Sequence, residues 1–150
     1  MGHVFSVWMD RKRGERTVYE AECAWLQDYQ EIKKSQSVWK RRFMRMTGIA
    51  LEVRKVTGLG NRDSNYLEWH NVYSREGGLY LMSVDYQCAE NRELICQVNG
   101  VVVKNVEAHP AHEVASEQIE IRLKPGMNRI RLSNGNSWMP DIDGMVLLKK

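Results

Sequence analysis

The chain has 150 residues, the usual length of a single domain, and 43% of them are hydrophobic, which is enough to form a packed core. Its 22 Lys and Arg residues against 19 Asp and Glu residues leave a net charge of +3, too mild an excess to indicate a nucleic-acid partner by itself. No apolar run approaches the roughly 20 residues of a membrane span, and the N-terminus lacks the form of a signal peptide. These features favour either a cytosolic protein or a piece of a longer secreted one.

The N-terminal part of the chain divides at residue 16. Residues 1–16 carry a basic cluster and are interpreted as a linker or a strand from a preceding domain, and residues 17–150 as the folded domain. The segment 17–23 alternates as a strand does, which places Glu20 and Glu22 on one face. Two carboxylates in that arrangement repel unless a positive group lies between them. A bound cation satisfies this requirement, and so does a neighbouring Arg or Lys side chain.

Residues 24–48 are predicted to form a short helix-like or irregular stretch, in which basic residues are interleaved with Trp39 and Phe43. Such a mixture is found on nucleic-acid-binding surfaces. It is also typical of a solvated loop whose aromatic side chains dock on the core. The basic residues that a polyanion would contact are Lys33, Lys34, Lys40, Arg41, Arg42, Arg45, Arg54 and Lys55.

From residue 50 the pattern is one of short strands separated by turns, with almost no amphipathic helix. Period-two alternation of apolar residues predicts strands over residues 50–56, 66–73, 79–88, 94–98, 101–103, 119–123, 130–132 and 145–147. Asn99-Gly100 is the strongest hairpin signal, and residues 104–116 are predicted to be a polar stretch between strands. About eight strands in this order predict an all-β fold, a two-sheet β-sandwich of the jelly-roll type.

A polar loop precedes the last strand and contains Trp138 and two carboxylates, Asp141 and Asp143. Alternate residues of an extended segment point the same way, so the two carboxylates are predicted to share a face close to Trp138. A flat aromatic ring beside carboxylates and amides suits a sugar, because the ring stacks on apolar C–H groups while the polar groups bind hydroxyls. The alternative is that Trp138 covers the end of the core and the Asp residues form turns.

The sequence contains no recognisable catalytic motif. The three cysteines, Cys23, Cys88 and Cys96, match no zinc or redox spacing and are interpreted as buried free thiols. His109 and His112 have no third ligand at a suitable spacing, so they are assigned to a polar loop. The paired carboxylates of a glycosidase, a phosphate-binding loop and a nucleophile elbow are not found as motifs. The residues therefore favour a binding module over an enzyme.

Four segments taken together resemble a known family. They are Tyr19-Glu20-Ala21-Glu22, the run from Gly77 to Tyr86, Val98-Asn99-Gly100, and the run from Pro125 to Asp143. Their order is similar to that of carbohydrate-binding modules of families 6 and 35, which are calcium-containing β-sandwiches. Residues 65–69 and 138–143 look most like the C-terminal module of bacterial α-galactosidase-like glycoside hydrolases. The resemblance covers about residues 17–149.

The resemblance implies a role for particular residues. A structural calcium ion is implied at Glu20, Glu22 and Asp143, whose hard oxygen atoms suit that ion. A weak site for a galactoside or a plant or host polysaccharide is implied at the loop end of the sandwich. The residues predicted to bind the glycan are Trp138, Asp141, Asn136, Asn134 and Asn61. The resemblance also implies an extracellular or periplasmic location within a secreted bacterial enzyme, with its catalytic domain as a partner and neither membrane nor nucleic acid.

Three positions depart from the family pattern. Asp141 stands where the family usually has Asn, and Gly58 stands where the family has an aromatic residue. The loop after the Asn99-Gly100 hairpin, where the family often has Trp, contains His109 and His112 instead.

Two aromatic platforms are therefore missing, unless Trp138 or Trp39 replaces them. This favours an alternative in which the domain is a structural spacer that packs on a catalytic domain and binds no sugar. A further alternative is a binder of anionic polymers that uses the basic segment 33–55.

Overall fold

The computed structural model describes residues 16–21, 24–27, 31–34, 46–47, 54–110 and 114–150. Within these ranges the chain forms eleven β-strands in two antiparallel sheets, so the predicted all-β, two-sheet β-sandwich is confirmed. The strands are β1 (Arg16–Glu20), β2 (Trp25–Gln27), β3 (Glu31–Lys34), β4 (Arg54–Thr57), β5 (Tyr66–Ser74), β6 (Gly78–Gln87), β7 (Arg92–Val98), β8 (Val101–Ala108), β9 (Ala115–Leu123), β10 (Gly126–Ser133) and β11 (Asp141–Lys149).

The last strand, β11, pairs with strands from the N-terminal and the central parts of the chain in one sheet. This sheet, sheet A, has the order β3-β4-β11-β6-β9, and β1 also pairs with β11. Glu20 of β1 lies opposite Gly144, and Val56 of β4 lies opposite Ile142. The other sheet, sheet B, has the order β2-β5-β10-β7-β8. The strand that follows the predicted sugar loop is therefore fixed by three neighbours, β1, β4 and β6.

Alternate residues of each long strand point between the sheets and form the core. In β6 these are Tyr80, Met82, Val84 and Tyr86, the four residues that the sequence pattern predicts. Trp69 of β5 is fully buried, and its Nε1 atom donates a hydrogen bond to Glu20 O at 3.0 Å, which links the two sheets through the core. Burial of each such side chain stabilises the fold by about 1.5–3 kcal/mol.

Two predictions about secondary structure are wrong. Residues 104–108 belong to strand β8 instead of a polar loop, and Val106 and Ala108 are buried while Glu107 between them faces solvent. Strand β9 likewise begins at Ala115, inside the predicted polar stretch. The region 24–48, predicted to be helix-like or irregular, contains strands β2 and β3, which pair with β5 and β4. These short strands depend on their partners, because strand formation follows tertiary context more than local composition.

The end of the sandwich that carries the Asn99-Gly100 hairpin is called the turn end. Asn99 and Gly100 both have positive φ, at 50° and 84°, as the predicted tight hairpin turn requires. Asn128 is buried beside this turn, and its Nδ2 atom donates to three main-chain carbonyls, those of Val72, Lys124 and Gly126. Its Oδ1 atom accepts hydrogen bonds from Lys124 N and Asn99 Nδ2.

Cys88 and Cys96 are buried free thiols, as predicted, and burial raises the pKa of the Cys96 thiol to about 12. The predicted domain boundary lies at Arg16, which is the first residue of β1. Residues 1–15, Cys23, Trp39 and His112 fall outside the described residues. No helix in the described part of the chain has the length and apolar character needed to cross a membrane.

Candidate functional site

Two loops meet at the end of the sandwich opposite the turn end, and both contain predicted site residues. The first, residues 58–65, joins β4 to β5, and the second, residues 134–140, joins β10 to β11. Two main-chain hydrogen bonds join them, from Asn61 N to Ser137 O at 2.7 Å and from Met139 N to Leu59 O at 2.9 Å, and together they make an antiparallel bridge between Gly60 and Trp138. The two loops form one unit, called the loop pair below.

Close approach of the two loops depends on Gly60. This residue has φ +92°, and a Cβ atom there would lie 2.6 Å from Ser137 O and 2.8 Å from Met139 N. Both distances are too short for non-bonded atoms, and the colliding atoms belong to the main chain, which cannot rotate away. Only glycine allows this geometry, because it has no Cβ and adopts positive φ readily.

The first loop is held from inside by Asn65. This side chain is buried, and its Nδ2 atom donates to Gly58 O at 2.7 Å and to Gly60 O at 3.0 Å. Asn61, which also has a positive φ of 66°, remains exposed at the tip of the loop. Asparagine tolerates this conformation better than other non-glycine residues, so the loop presents the Asn61 amide to solvent without strain.

The second loop is held by Asn134, which the sequence predicts as a sugar contact. The side chain is only 4% exposed. Its Nδ2 atom donates to Glu93 O and Ser137 Oγ, and its Oδ1 atom accepts from the main-chain N–H groups of Asn136 and Ser137. All of its hydrogen-bonding groups are used inside the protein. Asn134 therefore shapes the loop, and its burial does not fit the predicted direct contact with a glycan.

Trp138 lies at the surface of the loop pair. It is 39% exposed, whereas the adjacent Met139 and the facing Leu59 are buried. Met139 and Leu59 therefore close this end of the core, which is the role that the alternative interpretation gave to Trp138. Asn136 is exposed two residues before Trp138. The loop pair thus brings together an accessible indole and the exposed amides of Asn61 and Asn136.

Asp141 begins β11, directly after the loop pair. Its Oδ2 atom lies 2.9 Å from Lys55 Nζ, and the same Nζ donates to Gln87 Oε1 at 3.2 Å. The Lys55 and Asp141 side chains are 16% and 23% exposed. The sequence did not predict this partnership, because Lys55 and Asp141 belong to different strands and are far apart along the chain.

Arg92 lies against the loop pair from strand β7. Its Nη1 atom donates to Met139 O at 2.9 Å.

The buried Cys88 lies near the same end of the sandwich. Burial raises the pKa of its thiol, the positive charge of Arg92 lowers this pKa, and the negative charge of Asp141 raises it. Cys88 in turn donates to His109 O at 3.4 Å, which ties the segment after β8 to this end. His109 itself is exposed, with Nδ1 3.3 Å from Asn91 Oδ1.

The predicted calcium ligands lie near the start of β11. Glu20 and Asp143 are both buried, and Glu20 lies opposite Gly144, the neighbour of Asp143. Asp85 of β6 is another buried carboxylate in this row, and it accepts a hydrogen bond from Ser116 Oγ. No three His, Cys, Asp or Glu residues of the described ranges come close enough to hold an ion together. Glu22, the third predicted ligand, falls outside those ranges. The two buried carboxylates suit the oxygen preference of calcium.

Comparison with known proteins gives a consistent result for the fold. The chain matches no protein-family model, and no curated protein matches it in sequence. Among solved structures it is similar to a family 35 carbohydrate-binding module from Clostridium thermocellum, with 26% identity and a TM-score of 0.69 over 88% of this chain and 98% of that one.

Two longer enzymes contain a similar part. A GH26-CBM35 β-(1,4)-mannanase from Podospora anserina has 20% identity and a TM-score of 0.68, and the match covers 93% of this chain and 28% of that one. An exo-β-1,3-galactanase from Phanerochaete chrysosporium has 21% identity and a TM-score of 0.68, with 88% and 29% covered. The fold is therefore that of a carbohydrate-binding module. This likeness to family 35 modules confirms the resemblance to modules of the family 6/35 type seen in the sequence.

Proposed function

We propose that this chain is a non-catalytic module that binds a glycan weakly through its loop pair, as an accessory part of a secreted glycoside hydrolase of the α-galactosidase-like kind. Its fold supports this function, because similar structures occur both as separate carbohydrate-binding modules and as parts of glycoside hydrolases. In this arrangement the domain acts outside the cytoplasm, and its partners are a carbohydrate and a catalytic domain.

The observation that carries the proposal is the placement of Trp138. The indole is 39% exposed, and the main chain of Trp138 is held by the bridge to Gly60. Exposed amides flank it at Asn61 and Asn136. A sugar ring needs this combination, since its C–H groups stack on an aromatic face while its hydroxyls exchange hydrogen bonds with amides.

The expected affinity is low. The site has one aromatic platform, and a stacked ring contributes about 0.5–1.5 kcal/mol beyond its buried area. We expect dissociation constants of roughly 0.1–1 mM, which correspond to about −5.5 to −4 kcal/mol. Galactosides are the first ligands to test, because of the α-galactosidase-like resemblance and because one similar structure is a galactanase with bound galactotriose.

A glycan array probed at low and at high salt tests the proposal. A neutral glycan that stacks on Trp138 should give signals that barely change with salt, because no counterions are released. Binding of an anionic polymer through the basic segment 33–55 should instead fall steeply as salt rises. Trp138→Ala should weaken the neutral-glycan signals several-fold, and Tyr73→Ala, which alters an exposed aromatic residue of strand β5, should leave them unchanged.

A structural calcium ion forms a second part of the proposal. Glu20, Glu22 and Asp143 would hold it, and the buried carboxylates of Glu20 and Asp143 support this assignment. The bound ion would neutralise these acidic groups and join β1 to β11 just beyond the loop pair. Its contribution would be to stability and to the position of β11, since a calcium ion at this place has no catalytic partner.

A spacer domain without sugar binding is the second candidate function. It is favoured by Gly58, which stands where the family usually has an aromatic residue, and by the segment after the Asn99-Gly100 hairpin, which has His109 and His112 where the family often has a Trp. This candidate predicts no signal on the array at either salt concentration, and it predicts that Trp138→Ala changes only stability.

A further inference from the structure

Lys55, Asp141 and Gln87 form a small polar group next to the loop pair. They come from three neighbouring strands, β4, β11 and β6. Asp141 and Gln87 are direct partners in the register of β11 and β6, and Lys55 precedes Val56, which is the partner of Ile142. Each side chain therefore extends from a hydrogen-bonded strand. Groups placed on regular elements hold their positions better than groups on loops.

The hydrogen-bonding capacity of this group is only partly used. A lysine ammonium has three N–H donors and no acceptor. Asp141 Oδ2 takes one donor at 2.9 Å and Gln87 Oε1 takes a second at 3.2 Å, and no other residue of the described ranges takes the third. The structure shows no other hydrogen bond to Asp141 among the described residues, so its Oδ1 atom keeps its capacity to accept. One donor and one acceptor thus remain side by side.

We propose that Lys55 determines specificity at the glycan site: Lys55 and Asp141 act as one donor–acceptor pair that recognises two neighbouring hydroxyl groups of a sugar. One hydroxyl donates to Asp141 Oδ1, and the next one accepts from the remaining N–H of Lys55. The inference rests on the proposed function, because it assigns a role within the same glycan site. It goes further, since it names the chemical feature of the ligand that is recognised and a residue that no sequence motif indicates.

Partial burial makes such a pair effective. Exposed ion pairs contribute little, because solvent screens them and their long side chains lose entropy. Lys55 and Asp141 are 16% and 23% exposed, and Gln87 fixes the ammonium from a third strand. The two groups are therefore held in place before a ligand arrives, and pre-organisation of this kind lowers the entropic cost of binding.

An asparagine at position 141 would provide both the donor and the acceptor from one side chain. Its side-chain amide supplies both a donor and an acceptor without help. An aspartate supplies acceptors only, so the donor has to come from another residue, and Lys55 Nζ lies 2.9 Å from Asp141 Oδ2. With Asn at position 141, Lys55 should therefore no longer be needed for binding.

The test compares Lys55→Met, Asp141→Asn and the double variant by NMR titration with galactose, glucose and mannose. Loss of a hydrogen bond to a charged group weakens binding by about tenfold or more, so Lys55→Met should bind the preferred sugar about tenfold more weakly. The double variant should bind within about threefold of the wild type, because the new amide replaces the lost donor. Lys149→Met is the control, since Lys149 pairs with Glu76 at the other end of β11, and it should bind as the wild type does.

The outcomes separate the inference from the proposed function. If the wild type binds sugar and Lys55→Met binds equally well, the proposed role of Lys55 is wrong, while the proposed glycan site is supported. The pair is also wrong if the double variant is as weak as Lys55→Met, because Lys55 then acts in some other way. If the wild type gives no shifts with any of the three sugars, the glycan site fails and the pair fails with it. Melting temperatures of all variants show whether a loss reflects unfolding instead of binding.

Discussion

The loop pair and the turn end lie at opposite ends of the sandwich, and both depend on buried asparagine side chains. At the turn end Asn128 uses its whole amide in five internal hydrogen bonds. At the loop pair the Asn65 amide donates twice, but its buried Oδ1 atom has no partner among the described residues. The loop pair also carries the exposed side chains of Asn61, Asn136 and Trp138. At the turn end the Asn128 amide is satisfied inside the protein, whereas the loop pair presents exposed amides that a ligand can reach.

This difference indicates how to distinguish a structural turn from a candidate site. Buried polar groups in proteins nearly always have partners. An end of a sandwich that satisfies all its groups internally needs no ligand, and its substitution should affect only stability. An end that leaves exposed amides beside an aromatic face should, when substituted, affect binding as well. Four predictions follow from this comparison, beginning with the largest effect.

The largest effect is expected from a methyl group at Gly60. Gly60→Ala should destabilise the protein by at least about 3 kcal/mol, because the new Cβ would collide with main-chain atoms of the second loop. Gly100→Ala at the turn end is the matched control: it has a similar positive φ but open space around the Cβ position. It should destabilise the protein by only about 1 kcal/mol, because a residue with a Cβ atom is strained at positive φ. Urea denaturation measures both, and equal losses would contradict the close approach of the two loops.

The two buried asparagines should respond differently. Asn128→Ala should cost about 2–3 kcal/mol, since it leaves buried main-chain groups without partners, and the folded protein should bind sugar normally. Asn134→Ala should cost about 2 kcal/mol and also weaken sugar binding, because it releases the loop that carries Trp138. Denaturation and glycan titration of each variant give both values. Normal binding by Asn134→Ala would show that this loop does not position the site.

Removal of calcium should have an effect of intermediate size. An ion that binds only the folded protein stabilises it by about 2.7 kcal/mol at a hundredfold excess over its dissociation constant. Chelation should therefore lower the melting temperature of the wild type, and Asp143→Asn should abolish the difference between calcium and chelator. A wild-type melting temperature that is the same with calcium and with chelator would exclude the proposed ion.

The smallest effect on stability is expected at Trp138. Because its side chain is 39% exposed and Met139 closes the core, Trp138→Ala should cost less than about 1.5 kcal/mol. The same variant should reduce sugar affinity several-fold through loss of stacking. Calorimetric unfolding together with titration separates the two effects. A large loss of stability with unchanged affinity would favour the spacer interpretation.

Much of the fold follows from local patterns in the sequence. Alternation in β6 identifies its core residues, and Asn99-Gly100 identifies the hairpin, because both signals depend on neighbours within a few positions. Val106 and Ala108 were missed since two small apolar residues among polar ones give a weak signal. Strands β2 and β3 were missed because their pairing partners, β5 and β4, lie far away in the sequence.

The candidate site was predicted less completely than the fold. Trp138 and the neighbouring amides were identified because they lie in one polar loop of recognisable composition. The internal role of Asn134 and the contact between Lys55 and Asp141 depend on how strands and loops assemble. No spacing in the sequence encodes those contacts. Residues that act through partners from distant strands become visible only in the folded chain.

The most direct test of the glycan site is an NMR titration that follows the indole N–H of Trp138, assigned by its loss in Trp138→Ala. With galactosides at concentrations up to roughly tens of millimolar, this signal and the main-chain amides of the loop pair should shift together and saturate. The amides around Asn99 and Asn128 at the turn end should remain unchanged. If no loop-pair signal shifts, or if the turn end shifts as strongly as Trp138, the loop pair is not the glycan site.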